Sequence, residues 1–288
     1  MLNYLILLFG VFVTSWSSIF IRWIGDVHPL VISFYRLFFS VLVLSPFLLK
    51  RMKSGRHLPS NVFSKNTLFL ILSGFFLAMH FFTWIQSLQW TTVGNSIFLE
   101  STHPIFAVIL SYFVLKEKSS PLIIGGIALA LLGIFVIVNS DMGAHPFATL
   151  GDFLAIISAF CLAAYLLIAR FYRQKIDLLP YLVLVYAAAA LFTLLLILFL
   201  KINFLNLALK SWFFLGLLAL GPNLIGHSLL NWASRKMPVY LVNLAMQGEA
   251  VLATFYAALL LNEIPGEQFY FGAGLILLAV SFIFLNRR

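Results

Sequence analysis

The chain has 288 residues, of which 62% are apolar and only 9% charged, with six histidines, one cysteine and a net charge of +9. So little polar surface excludes a water-soluble globular domain, in which charged residues make up about a quarter of the chain. The lone Cys161 excludes an internal disulfide and any cysteine-built metal cluster, and reads as a small packing residue.

Ten apolar runs, each near the roughly 20 residues that a helix needs to cross a hydrocarbon core, follow one another at 3–22, 29–49, 67–89, 93–115, 121–139, 151–172, 178–200, 211–233, 239–261 and 267–286. They predict an all-α membrane protein with ten transmembrane helices. The first run has no basic residue before it and no small-residue cleavage site, so it is expected to be a retained helix rather than a signal peptide. With the amino terminus placed in the cytoplasm, fourteen of the eighteen basic residues fall in inside loops, Lys50, Arg51, Lys53, Arg56 and Lys65 among them. This asymmetry orients both termini to the cytoplasm. The basic excess then reports topology and contact with anionic lipid, not nucleic-acid binding.

Leu115-Lys116-Glu117 and Leu261-Asn262-Glu263 close two apolar runs 146 residues apart, and each glutamate is followed nine residues later by a glycine, Gly126 or Gly272. Since 146 is close to half the length, the chain reads as a five-helix unit written twice, 1–140 and 150–288. Arg22 with Arg170, Pro29 with Pro180 and Tyr35 with Tyr186 match at slightly different offsets. An odd number of crossings per unit inverts the second copy, the architecture of secondary transporters, whose substrate sites lie near the midplane where the halves meet.

The third, fourth, eighth and ninth runs carry the polar and helix-breaking residues. In the fourth, Asn95, Ser96, Glu100 and His103 precede Pro104, and the i, i+4, i+7 spacing of Ser96, Glu100 and His103 sets them on one helical face. Pro104 cannot donate to the Glu100 carbonyl, which points to a hinge. The repeat pairs His103 with Glu249 in the ninth run. A carboxylate in a spanning helix is costly unless it faces a cavity or a partner. Glu100, His103 and Glu249 are therefore candidate proton carriers, and the bland alternatives are a helix-bridging Glu–His pair and an Arg36–Glu249 lock. Asn243 and Gln247 share another face of the ninth run beside Gly248, a third hinge candidate. His80 and Trp84 in the third run match His227 and Trp232 in the eighth. There Asn223, His227 and Asn231 follow a Gly221-Pro222 break, with Pro222 as the remaining hinge candidate. Trp16 and Tyr165 complete the candidate cavity wall. Each of these residues could instead simply pack or bridge helices.

No phosphate-binding Gly-Lys-Ser/Thr loop and no His-Glu-x-x-His motif occur, which argues against nucleotide hydrolysis and a zinc enzyme. Neither cofactor nor metal is expected. Arg36 is the one arginine away from the end of a run and so expected inside the membrane, too few for a phosphate-rich cargo and better suited to a neutral, zwitterionic or weakly cationic solute.

Ser101-Thr102-His103-Pro104 through Leu115-Lys116-Glu117 and Gly126, with its counterpart Gly226-His227-Ser228-Leu229-Leu230-Asn231-Trp232-Ala233 through Glu249 to Glu263, resembles the EamA-type drug/metabolite transporter superfamily, as does Arg36 in the second run. The family commonly has Gly where this chain has Lys116 and Asn262, and Pro where it has Ala250. The resemblance implies two inverted five-helix halves around a cavity lined by helices one, three, four, six, eight and nine. It also implies export or exchange of amino acids, other metabolites or drugs, often across a bacterial inner membrane. The leading expectation is a multi-pass inner-membrane secondary transporter working by alternating access, as a monomer or homodimer in contact with lipid. A channel or scaffold, or a lipid-modifying enzyme, is the alternative.

Overall fold

A computed structural model describes residues 2–54, 67–116, 120–140, 146–172, 177–236 and 239–285. Among them every regular element is helical. The ten runs become α1 (Leu2–Thr14), α2 (Ser17–Ile24), α3 (Pro29–Lys53), α4 (Thr67–Trp90), α5 (Val93–Glu100), α6 (His103–Leu115), α7 (Pro121–Ser140), α8 (Ala148–Tyr172), α9 (Leu178–Phe199), α10 (Leu209–Leu218), a π-helical stretch (Ala219–Gly226), α11 (His227–Lys236), α12 (Val239–Leu261) and α13 (Glu267–Leu285). Eight segments are long and apolar enough to cross a membrane, and Ala245–Leu261 and Glu267–Phe282 are shorter apolar helices within the last two runs. Large apolar side chains such as Phe113, Phe135 and Phe199 are more than two-thirds exposed, the arrangement expected where the outer solvent is hydrocarbon. The protein is a multi-pass membrane protein.

Three runs depart from simple helices, and each departure has a local cause. The first breaks at Ser15-Trp16, where the Ser15 hydroxyl donates to the Val11 carbonyl at 2.6 Å and competes with the backbone ladder. The fourth breaks at Ser101-Thr102, whose hydroxyls donate to the Phe98 and Leu99 carbonyls. Pro104 then sits in the first turn of α6, where its missing N–H costs nothing. In the eighth, Pro222 lies inside the π-helical stretch, and the wider turn absorbs the proline without ending the helix. At the start of α3, desolvation holds the His28 imidazole below its ordinary pKa, and its Nδ1 accepts from the Leu30 N–H at 3.2 Å.

The principal packings obey an exchange rule. α4 lies on α8, and α1 on α11 and the π-helical stretch. α5 and α6 lie on α8, and α1 and α2 on α12. α4 lies on α9, and α3 on α10 and the π-helical stretch. The pairs α3–α9, α5–α12 and α7–α13 complete the set. Swapping each run for the one five places away maps these pairs onto one another, whereas the α3–α4 packing has no counterpart of similar extent between α9 and the eighth run among the described residues. α7 and α13 approach until backbones touch: a Cβ on Gly133 would lie 2.8 Å from the Gly272 carbonyl oxygen, and one on Gly272 would lie 2.9 Å from that of Gly133.

The repeated Leu-x-Glu positions share a rare backbone state. Lys116 and Asn262 have φ of 56° and 57°, the left-handed region that ends a helix without extending it. That conformation favours glycine, which supplies a physical reason for the residue common there in the family this chain resembles.

Candidate functional site

One cavity of about 270 Å³ sits at the centre of the bundle, lined from every run except the fifth and tenth. Arg36 on α3, itself 1% exposed, supplies its positive charge. Its placement follows from a closed hydrogen-bond ring. Arg36 Nε donates to Asn223 Oδ1 at 3.0 Å, Asn223 Nδ2 donates to Ser40 Oγ at 2.7 Å, and Ser40 Oγ donates to the Arg36 carbonyl at 2.8 Å. Asn223 belongs to the π-helical stretch, so the proline-widened turn holds the residue that aims the guanidinium. Phe81 lies 4.0 Å and Trp84 5.7 Å from the guanidinium carbon, within cation–π range.

Two titratable carboxyl groups, Glu100 on α5 and Glu249 on α12, also line the cavity. Among the described residues the ion pairs are Arg22–Glu263 and Arg51–Asp177, so Arg36, Glu100 and Glu249 face the same space without pairing directly. Four buried polar atoms of the lining lack a hydrogen-bond partner: Arg36 Nη1, Trp84 Nε1, His103 Nδ1 and Gln247 Oε1. Orphans of this kind cost on the order of 1–3 kcal/mol each unless something satisfies them. Their convergence on one space is what a site for a polar solute requires.

His80, Trp84, Glu100, His103, Tyr165, His227, Gln247 and Glu249 all reach the cavity. His80 is anchored by Ser158, whose hydroxyl lies 2.8 Å from Nδ1, and its ring is parallel to that of Trp84 at 6.3 Å. Trp16 lies away from the lining and stacks on Tyr256 at 4.8 Å, because the break that follows α1 turns it toward an aromatic cluster with Phe20 and Trp23. Asn95 and Ser96 are buried outside the lining, and Ser96 bonds Ser87 at 2.6 Å. The one-face reading of Ser96, Glu100 and His103 is corrected accordingly: the helix ends at Glu100 and restarts at His103. Gly248 marks no break, since α12 runs uninterrupted through it. The Asn231 and Asn243 side chains, and Glu117, lie outside the described residues.

Sequence reasoning missed Tyr181, placed in the lining with its hydroxyl 2.8 Å from Ser73, and treated Tyr186 only as a repeat match. It left the second and seventh runs out of the wall. In apolar helices whose polar residues are a few tyrosines and hydroxyls and one arginine, no periodicity distinguishes the cavity side from the packed side.

A multi-pass helical bundle with a central cavity lined by titratable and under-satisfied polar groups has the architecture of a membrane transporter. The chain matches the EamA-like transporter family over residues 1–139 and 149–285, and it belongs to that family. It is 28% identical over 180 residues to solute carrier family 35 member G1 of Homo sapiens, an alignment covering 59% of this chain and 48% of the human protein. The chain thus spans about half the length of that relative. A solved structure titled only as a crystal structure of a protein shares the fold, with a TM-score of 0.68 at 18% identity over 99% of this chain and 98% of the other.

Proposed function

We propose that the central cavity binds a small organic solute, neutral, zwitterionic or weakly cationic, and that the protein carries it across the membrane by alternating access. The halves 1–140 and 150–288 rock about that site as inverted copies. Both termini face the cytoplasm of an inner membrane, as the basic loops favour. Glu249, with Glu100 and His103, moves the coupling proton. The observation that carries the reading is the set of four unpartnered polar atoms on one cavity between the halves. The exchange rule in the helix packing supports the inverted arrangement.

A resistance screen in overexpressing cells nominates solutes, and purified protein in liposomes then measures flux. Glu249→Gln keeps the shape of the side chain and removes its titration, so it is expected to abolish flux driven by a pH gradient. Undiminished pH-driven flux in that variant takes Glu249 out of the coupling role.

A further inference from the structure

The cavity does not extend equally toward both membrane faces. α4 and α8 pack against each other, and Thr91, just past the end of α4, bonds Asp152 near the start of α8, so the two helices run antiparallel. The lining takes the middle of α4, from Leu77 to Trp84, and continues to Ala169 near the end of α8 and Leu178 at the start of α9. It therefore reaches toward the face where α8 ends, and the face where α4 ends is shut.

At that shut face a network joins the two halves. Arg22 Nη2 lies 2.9 Å from Glu263 Oε1 and donates to the Thr91 carbonyl at 2.8 Å, while its Nε has no partner. Glu263 Oε2 accepts from the Val93 N–H at 2.8 Å, and Thr91 Oγ1 donates to Asp152 Oδ1 at 2.8 Å. Packing is tight here, since a Cβ on Gly151 would fall 2.9 Å from the Thr91 nitrogen. One carboxylate thus holds the end of α2 and the start of α5 together. The charges are about a quarter exposed, which leaves water a route to compete for them.

Between cavity and network, three helices repeat one order. On α2, Ser17 lines the cavity, Ser18 follows and Arg22 joins the network. On α4, Trp84 lines the cavity, Ser87 follows, and Thr91 lies in the network. On α5, read outward, Ile97 lines the cavity, Ser96 and Asn95 follow, and Val93 is bound by Glu263. These intermediate side chains are small, polar and at most 3% exposed, and Ser18 Oγ and Asn95 Nδ2 have no partner. Buried polar side chains on three converging helices, unsatisfied on α2 and α5 and closed on one another in the Ser87–Ser96 pair between α4 and α5, are what a collapsed solvent path leaves behind in an otherwise apolar bundle.

We propose that Arg22 and Glu263 form the latch of a closed gate, and that Ser18, Ser87, Asn95 and Ser96 line the path that opens when the latch parts. The proposal rests on the transport reading for the purpose of the gate. Its physical content is separate: loss of the ion pair shifts the balance between shut and open states toward the open one. Asn95 and Ser96 then belong to the route rather than to the resting site.

The test uses the one native cysteine to advantage. In a Cys161→Ser background, Ser96→Cys is placed on the path and labelled in sealed vesicles with a membrane-impermeant maleimide applied to each face separately. With the latch intact, labelling is expected to be slow from both faces. Glu263→Gln or Arg22→Gln is expected to raise the rate at least tenfold from the Glu263 face alone. The exchanged pair, Arg22→Glu with Glu263→Arg, restores the ion pair but not the bonds to the Thr91 carbonyl and the Val93 N–H, so it is expected to return the rate part of the way to the slow value, which a merely misfolded variant would not do. Labelling that ignores the loss of either charge, or that rises equally from both faces, overturns the latch. No solute takes part in this readout. Failure here leaves the central cavity as a site, whereas a solute that never protects the cavity undermines the transport reading and leaves the latch standing.

Discussion

Two arginines on the same half of the protein, Arg22 half-buried and Arg36 fully buried, are treated in opposite ways. Arg22, at a membrane face, meets the Glu263 carboxylate and a backbone carbonyl directly. Arg36, at the centre, is held by Asn223 through Nε, keeps Nη1 unpaired, and looks across a cavity at two carboxylates it does not touch. The first arrangement closes protein upon itself. The second leaves a buried donor open toward the cavity, which is the feature the proposed solute site uses. Under the proposals above, the paired charges belong to a closed gate and the separated ones to a binding site.

The largest expected effect sharpens this contrast. Arg36→Ala removes the central cation and is expected to weaken solute binding by about a hundredfold or more, since losing a buried charged partner costs about 3–5 kcal/mol. Solute-dependent protection against thermal unfolding measures it. Arg36→Lys should not rescue fully, because an ammonium cannot bond Asn223 and present a second aligned donor at once. If both variants bind solute normally, the distinction between the two arginines has no functional meaning.

Away from both regions, Gly133→Val drives a side chain into the α13 backbone and is expected to lower stability by about 1–3 kcal/mol, read as a fall in Tm in detergent. Transport per folded molecule should survive. Trp84→Phe keeps the ring over Arg36 and deletes the unpaired Nε1–H, so solute affinity should drop about tenfold, in line with a lost hydrogen bond of about 1–1.5 kcal/mol. The smallest effect has the opposite sign. Asn262→Gly relieves left-handed strain beside the Glu263 latch and is expected to raise stability by about 0.5–1 kcal/mol without altering the charges that pair there.

Much of the architecture was legible in the chain. Ten runs predicted ten crossings, and the runs reappear as helices within a few residues of their expected ends. His80, Trp84, His103, His227 and Glu249 stood out because a polar side chain in a spanning helix needs a reason, and each lies on the cavity. Ser96 stood out equally and lies elsewhere, its hydroxyl bonded to Ser87 between α4 and α5 instead of facing the cavity. Trp16 was displaced by the break that follows α1. Tyr181 was invisible, since a tyrosine in an apolar helix looks the same whether it packs or lines a wall.

Composition alone determined that this protein lives in a bilayer, because a chain so poor in charge cannot face water, and helix-length apolar runs satisfy their backbone within themselves. The spacing of Glu117 and Glu263 gave the expectation of a repeated plan. Only the tertiary structure decided which arginine is paired and which is left waiting. That choice depends on contacts between residues up to 241 positions apart, Arg22 with Glu263 and Arg36 with Asn223, and lipid gives helices no hydrophobic reason to prefer one neighbour over another.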